Sequence, residues 1–145
     1  MLTLTQVQIK EIADQLDCGF ICYLNMKNGE ILFLPDLLKH PDIEMEAWSE
    51  AQGKIDRNFH DYKVIEPLES YDSFKIMAEF AETLLDSNPL KNKLIYALNR
   101  KKPFREFKFA IDNSGKYRQI WFGFKNLKLQ EWVKERIQEI NEIEE

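Results

Sequence analysis

Phe20-Ile21-Cys22-Tyr23-Leu24-Asn25-Met26-Lys27-Asn28-Gly29-Glu30-Ile31-Leu32-Phe33-Leu34 is the stretch on which the fold turns. Two apolar, β-prone runs, 20–26 and 30–34, flank Asn28-Gly29. Asn-Gly is the preferred pair for a two-residue hairpin because both positions take positive φ. The stretch predicts an antiparallel hairpin with Asn28 and Gly29 at its tip, ended at Leu34-Pro35. If Gly19 opens the first strand, Phe20, Cys22 and Leu24 share one face, and Cys22 is a small core residue.

Helical signals surround the hairpin. Thr5-Gln6-Val7-Gln8 has the form of a capping box, and Val7, Ile9, Ile12, Ala13 and Leu16 follow at mostly helical spacing, predicting a helix over 5–17. Residues 42–54 allow a polar helix around Ile43, Ala47 and Ala51, weakened or ended by Gly53. Asp61 to Leu68 alternates Tyr62 and Val64 with Lys63 and is expected as a third, edge strand, with Pro67 at its end. Over 71–86, Phe74, Ile76, Met77, Ala78, Phe80, Ala81, Leu84 and Leu85 fill more than half of a helical wheel, as in a helix packed on two sides. Asn88-Pro89 opens a further helix to about Asn99, Asn capping and Pro at the first helical position. Lys102-Pro103 opens another, striped by Phe104, Phe107 and Ile111 and closed by Asn113-Ser114-Gly115. Tyr117, Ile120, Trp121 and Phe124 mark the next helical face, and Leu129, Trp132, Val133, Ile137 and Ile140 a last one. Whether these two form one helix or kink near 123–126 stays open.

The expected architecture is α+β: a small antiparallel sheet from the N-terminal half packed on a C-terminal helical set, as a single domain over 1–145. Trp121, Trp132, Phe74, Phe80, Phe104 and Phe107 are expected to be largely buried. The apolar fraction of 44% excludes wholesale disorder, and no apolar run approaches a membrane span. The N-terminus lacks the basic start and apolar core of a signal peptide, so a cytoplasmic location is expected.

Chemistry-bearing patterns are sparse. Five glycines leave no phosphate-cradling loop and no nucleophile elbow. Cys18 and Cys22, with His40 and His60, lack zinc-site spacing. Glu79 and Glu82 lie opposite the apolar arc of their helix, where carboxylates usually face solvent, and a strand would point His60 and Asp61 to opposite sides. No catalytic residue, metal ligand or cofactor is nominated.

Charge is the unusual feature. The net charge of −5 divides into −10 over residues 1–90, +9 over 91–128 and −4 over 129–145. Arg100, Lys101, Lys102, Arg105 and Lys108 surround Pro103, and Lys116, Arg118, Lys125 and Lys128 follow. The helix start at Lys102-Pro103 adds exposed N–H groups that suit an anion. Phe109 and Phe122 fall off the apolar stripes, beside Arg105 and Arg118 respectively. An outward ring flanked by guanidinium can stack on bases or anchor a protein. The candidate partner-binding residues are therefore Arg100, Lys101, Lys102, Arg105, Lys108, Phe109, Lys116, Arg118 and Phe122. Against this stands simple internal packing, in which the basic centre faces the acidic first 90 residues. The functional reading is a non-enzymatic binding or regulatory module, a protein partner being favoured slightly over nucleic acid, with no membrane partner. The alternative is an enzyme with a cleft drawing on Tyr23, His60, Asp61 or Glu79. Self-association through the C-terminal helix is a third possibility.

Landmarks across 20–133 resemble a bacterial family. They are Tyr23-Leu24-Asn25 with Gly29-Glu30, Ile76-Met77-Ala78-Glu79-Phe80, Ala97-Leu98, Phe104-Arg105-Glu106-Phe107-Lys108, Trp121-Phe122-Gly123-Phe124 and Glu131-Trp132-Val133. In order and spacing they are similar to Uncharacterised Protein Family 0158. The chain departs from that pattern at Asn25, where family members carry Asp, and at Asn99-Arg100-Lys101-Lys102-Pro103, where they often carry glycines. The resemblance implies a bacterial cytosolic protein and supplies no activity.

Overall fold

Helix α1 (Gln6–Asp17) begins with a complete capping box: Thr5 Oγ1 accepts from the Gln8 N–H, and Gln8 Oε1 accepts from the Thr5 N–H. This computed structural model describes residues 1–144. Ile9, Ile12, Ala13 and Leu16 form the buried face of α1. Gly19 ends the helix with φ +83, and a Cβ there would stand 2.8 Å from His40 Nε2, so the position needs glycine on two counts.

Strands β1 (Phe20–Asn25), β2 (Ile31–Pro35) and β3 (Tyr62–Ile65) make one antiparallel sheet in the order β2-β1-β3. Cys22 stands between Phe33 and Ile65, and Tyr23 between Leu32 and Val64. The hairpin is where the sequence puts it, but its turn is different. Asn25 and Glu30 close a four-residue turn, in which the Asn25 N–H donates to the Glu30 carbonyl at 2.8 Å. Only Gly29 has positive φ (+77), and Asn28 does not. The reason lies at Asn25, whose buried Oδ1 accepts from the N–H groups of Lys27 and Asn28 at 2.9 and 3.1 Å and winds the chain into a wider turn.

Between β2 and β3, a short 3₁₀ turn (Met45–Trp48) leads into α2 (Ser49–Arg57), which continues through Gly53. A second 3₁₀ turn (Phe59–Asp61) carries His60 and Asp61, so this pair precedes β3 and does not lie on a strand. Four more helices follow: α3 (Ser70–Thr83), α4 (Pro89–Leu98), α5 (Pro103–Asp112) and α6 (Tyr117–Glu144). Asn88 caps α4 as expected, its Oδ1 accepting from the Leu90 N–H at 3.0 Å. Helix α6 is continuous, which resolves the point the sequence left open. Among the described residues, three strands and six α-helices make the fold α+β.

The chain forms two compact units, residues 1–67 with 129–145, and residues 68–128. In the first, α1, the sheet, α2 and the C-terminal part of α6 contribute buried Ile12, Cys22, Leu24, Ile55, Ile65 and Val133. Asn141 holds the N-terminus there, accepting from the Leu2 N–H and donating to the Leu2 carbonyl, both at 2.8 Å. The core of the second unit is aromatic. Trp121 meets Phe107 edge-on at 4.9 Å and Phe80 at 5.2 Å, with Met77, Leu90, Leu94 and Ile111 around them. Such pairs contribute about 0.5–1.5 kcal/mol each beyond their buried area.

Three expected core residues are less buried than the periodicity implies. Phe74 and Trp132 are half-buried, and Phe104 is 41% exposed. Phe104 lies angularly on the stripe with Phe107 and Ile111 but occupies the first turn of α5, at the core's edge. Ile120 is exposed as well, off the Tyr117, Trp121, Phe124 face. Helix α3 stops at Thr83, three residues short of expectation: Leu84 is extended, and the Thr83 hydroxyl donates to the Phe80 carbonyl at 2.6 Å.

Candidate functional site

All nine candidate residues belong to the second unit and are carried by α4's exit, α5 and the first turns of α6. Pro103 starts α5 without a side-chain cap from Lys102. From there Arg105, Lys108, Phe109 and Asp112 recur every three or four residues, so they project from one side of the helix. Gly115 then reverses the chain, and Arg118 and Phe122, one turn apart, lead α6.

Asp112 joins the two helices. Its carboxylate accepts from Arg118 Nε at 3.2 Å and lies 3.5 Å from Lys108 Nζ. The hydrogen bond from Arg118, supported by the charge of Lys108, holds this carboxyl below the usual range. Thus anchored, the Arg118 guanidinium lies 4.7 Å from the centroid of the Phe122 ring, in cation–π geometry. Phe109 stands 69% exposed on α5 and Phe122 is 37% exposed on α6.

The remaining basic groups divide. Arg105 is 3.4 Å from Glu106, and Lys128 is 3.1 Å from Glu79. Arg100 donates to the Tyr96 hydroxyl at 2.6 Å, its guanidinium 5.2 Å from the same ring, and Lys116 lies 5.4 Å from the Tyr117 ring. Lys101 and Lys102 are exposed at the α4–α5 junction, with no carboxylate within ion-pair distance among the described residues. The carboxylates of Glu106 and Asp112 are thus interspersed among the basic groups, and Phe104, Phe109 and Phe122 are exposed rings of the same segment, Phe104 on a different side of α5 from Phe109. Phe104 was missed as a surface residue because a wheel shows direction and not depth. Tyr96 was missed although its spacing from Arg100 (i, i+4) was legible. Asp112's link to Arg118 crosses a turn and left no signal.

The residues of the enzymatic alternative lie in different settings. Tyr23, half-buried in the sheet's central strand, has its phenol pushed up by desolvation and then by Glu66, Asp36 and Asp56. His60 is exposed beside Phe59, and Asp61 lies 3.4 Å from Lys27. These three belong to the first unit and Glu79 to the second. His40 Nε2 donates to the Cys18 carbonyl at 2.7 Å, and burial pushes the Cys22 thiol up to about 12. Among the described residues, no three His, Cys, Asp or Glu side chains converge in a way that could hold a metal ion. No helix among them is long and apolar enough to cross a membrane.

The fold is that of an α+β protein whose α5 and first α6 turns carry exposed rings beside basic side chains. The chain belongs to the Uncharacterised protein family (UPF0158), whose model matches residues 1–145. It is similar to the UPF0158 protein PA5073 of Pseudomonas aeruginosa, at 27% identity over 128 residues, covering 88% of this chain and 78% of the relative. Neither description states an activity, so the function is unknown. No solved structure matches the chain.

Proposed function

We propose that the protein is a non-enzymatic binding module, acting in the cytoplasm, that uses the face built by Arg100, Lys101, Lys102, Arg105, Lys108, Phe109, Lys116, Arg118 and Phe122. The observation that carries this reading is the pair of outward rings, Phe109 and Phe122, the second lying against a guanidinium that Asp112 already orients. A ring with a fixed cation beside it loses little side-chain freedom on binding, the usual property of an interface anchor. An acidic protein segment bearing apolar side chains is the favoured partner. Glu106 and Asp112 within the face oppose a continuous phosphate backbone but are compatible with a peptide whose carboxylates are spaced.

The test is fluorescence anisotropy with two labelled probes at low and near-physiological salt: a peptide alternating Glu with Phe and Leu, and single-stranded RNA. Peptide binding that is lost in Arg105→Glu with Lys108→Glu, and reduced in Phe109→Ser, supports the module. RNA binding that weakens steeply with salt would instead make the face a nucleic-acid site. Binding of neither probe at low salt removes the basic-face reading.

A further inference from the structure

Strand β3 is an edge of the sheet, whose order is β2-β1-β3. The Met26 N–H donates to the Asp61 carbonyl at 2.8 Å, next to the Asn25–Tyr62 pair, and this fixes the phase of the ladder. Lys63 and Ile65 therefore turn their N–H and C=O groups toward β1, while Val64 turns both of its own outward. Among the described residues, nothing accepts from the Val64 N–H or donates to its carbonyl. The Val64 side chain stands opposite Tyr23, so the two share the sheet face away from Cys22. Helix α2 packs against β2, where Leu34 is buried, and the face opens toward β3, where Val64 is 46% exposed.

This face is acidic. By the same alternation Glu66 and Asp36, one residue beyond β3 and β2, fall on the Tyr23 side. Burial raises the Tyr23 phenol, and the charges of Glu66, Asp36 and Asp56 raise it further, which sets all three carboxylates around it. Asp36 accepts from the Leu38 N–H and Asp56 from the Gln52 amide, but no cation lies within ion-pair distance of any of the three among the described residues. Residues 1–67 carry 12 acidic side chains against 6 basic ones, so the surrounding field also favours a cation.

We propose that the free edge of β3 takes an extended basic segment of a partner protein as a fourth strand. An aliphatic side chain of that segment lies beside Val64, and a lysine or arginine two residues away lies beside Glu66. Backbone bonds to Val64 would hold any strand, and the carboxylates select a basic one. The chain's own basic stretch does not fit the edge, because Pro103–Asp112 is helical. Four residues closed by Pro67 offer few backbone bonds, so the association is weak and reversible.

Fluorescence anisotropy of the full chain with a labelled peptide repeating Lys-Thr-Val-Thr tests this. The repeat places lysine and valine alternately on one face of a strand. The expected result is binding at low salt that Glu66→Lys weakens about threefold to tenfold. The same peptide methylated at every backbone nitrogen does not bind. Val64→Pro also removes binding, since it deletes an outward N–H and no bond to β1, and circular dichroism checks that this variant stays folded. Arg105→Glu with Lys108→Glu leaves the affinity unchanged, which separates this edge from the basic face. No binding at low salt, equal binding of a peptide with glutamine for lysine, or indifference to Glu66→Lys or to N-methylation overturns the proposal. A dimer in sedimentation that Val64→Pro abolishes would give the edge to a second copy, and overturns it too.

Discussion

Cys22 and Asn25 show what single side chains do in the central strand. Cys22 is fully buried between Phe33 and Ile65, and desolvation, with a smaller contribution from Glu11, pushes its thiol from 9.0 to about 12. The folded state therefore keeps a proton that the unfolded chain releases. This contribution to stability is complete below pH 9 and is lost as pH rises toward 12. The loss by about pH 10.5 is roughly 2 kcal/mol, with Tyr23 acting in the same direction at higher pH. Urea denaturation at about pH 8 and 10.5 measures it, and Cys22→Ala should flatten the difference even though its cavity lowers stability at both. Exposed Cys18 should react with a thiol reagent at once, and Cys22 only on unfolding. Asn25 serves the turn: Asn25→Ala strands the Lys27 and Asn28 N–H groups and is expected to cost about 1–3 kcal/mol, read as a lower urea midpoint.

Among the elements, α6 departs most from a simple amphipathic helix. Tyr117, Trp121 and Phe124 face the aromatic core of the second unit, and Leu129, Val133, Ile137 and Ile140 are buried in the first. The five-residue step from Phe124 to Leu129 moves the apolar stripe around the helix. That step is why the sequence looked interrupted near 123–126 while the backbone runs on. The open space around Gly123 allows a stability prediction. Gly123→Ala should add about 0.5–1 kcal/mol, seen as a higher melting temperature by circular dichroism. A decrease would mean that the glycine serves the fold.

For the whole molecule, the uneven charge and the two contact units are the main facts. The sequence expectation of a single domain becomes a proposal about cooperativity, because α6 supplies core residues to both units. Calorimetry should then give one unfolding transition whose calorimetric and van't Hoff enthalpies agree. Two resolved transitions would make the units separate domains. The aromatic core predicts the sensitive position: Phe107→Ala should lower stability by about 3–5 kcal/mol and carry the whole transition with it if the chain is one cooperative unit.

Much of this protein follows from local chemistry, and those features were legible in the sequence. The capping box at Thr5, the hairpin around Gly29, the Asn88-Pro89 helix start and the Pro103–Asp112 helix each depend on residues within a few positions of one another. The off-stripe directions of Phe109 and Phe122 were equally local, since a helical wheel needs only periodicity. What depended on distant packing was not legible. Depth along a helix placed Phe104 at the surface, Asn25's burial widened the turn, and Asp112 reached across Gly115 to orient Arg118. Periodicity states which way a side chain points. Only the assembled neighbours decide whether anything is there to meet it.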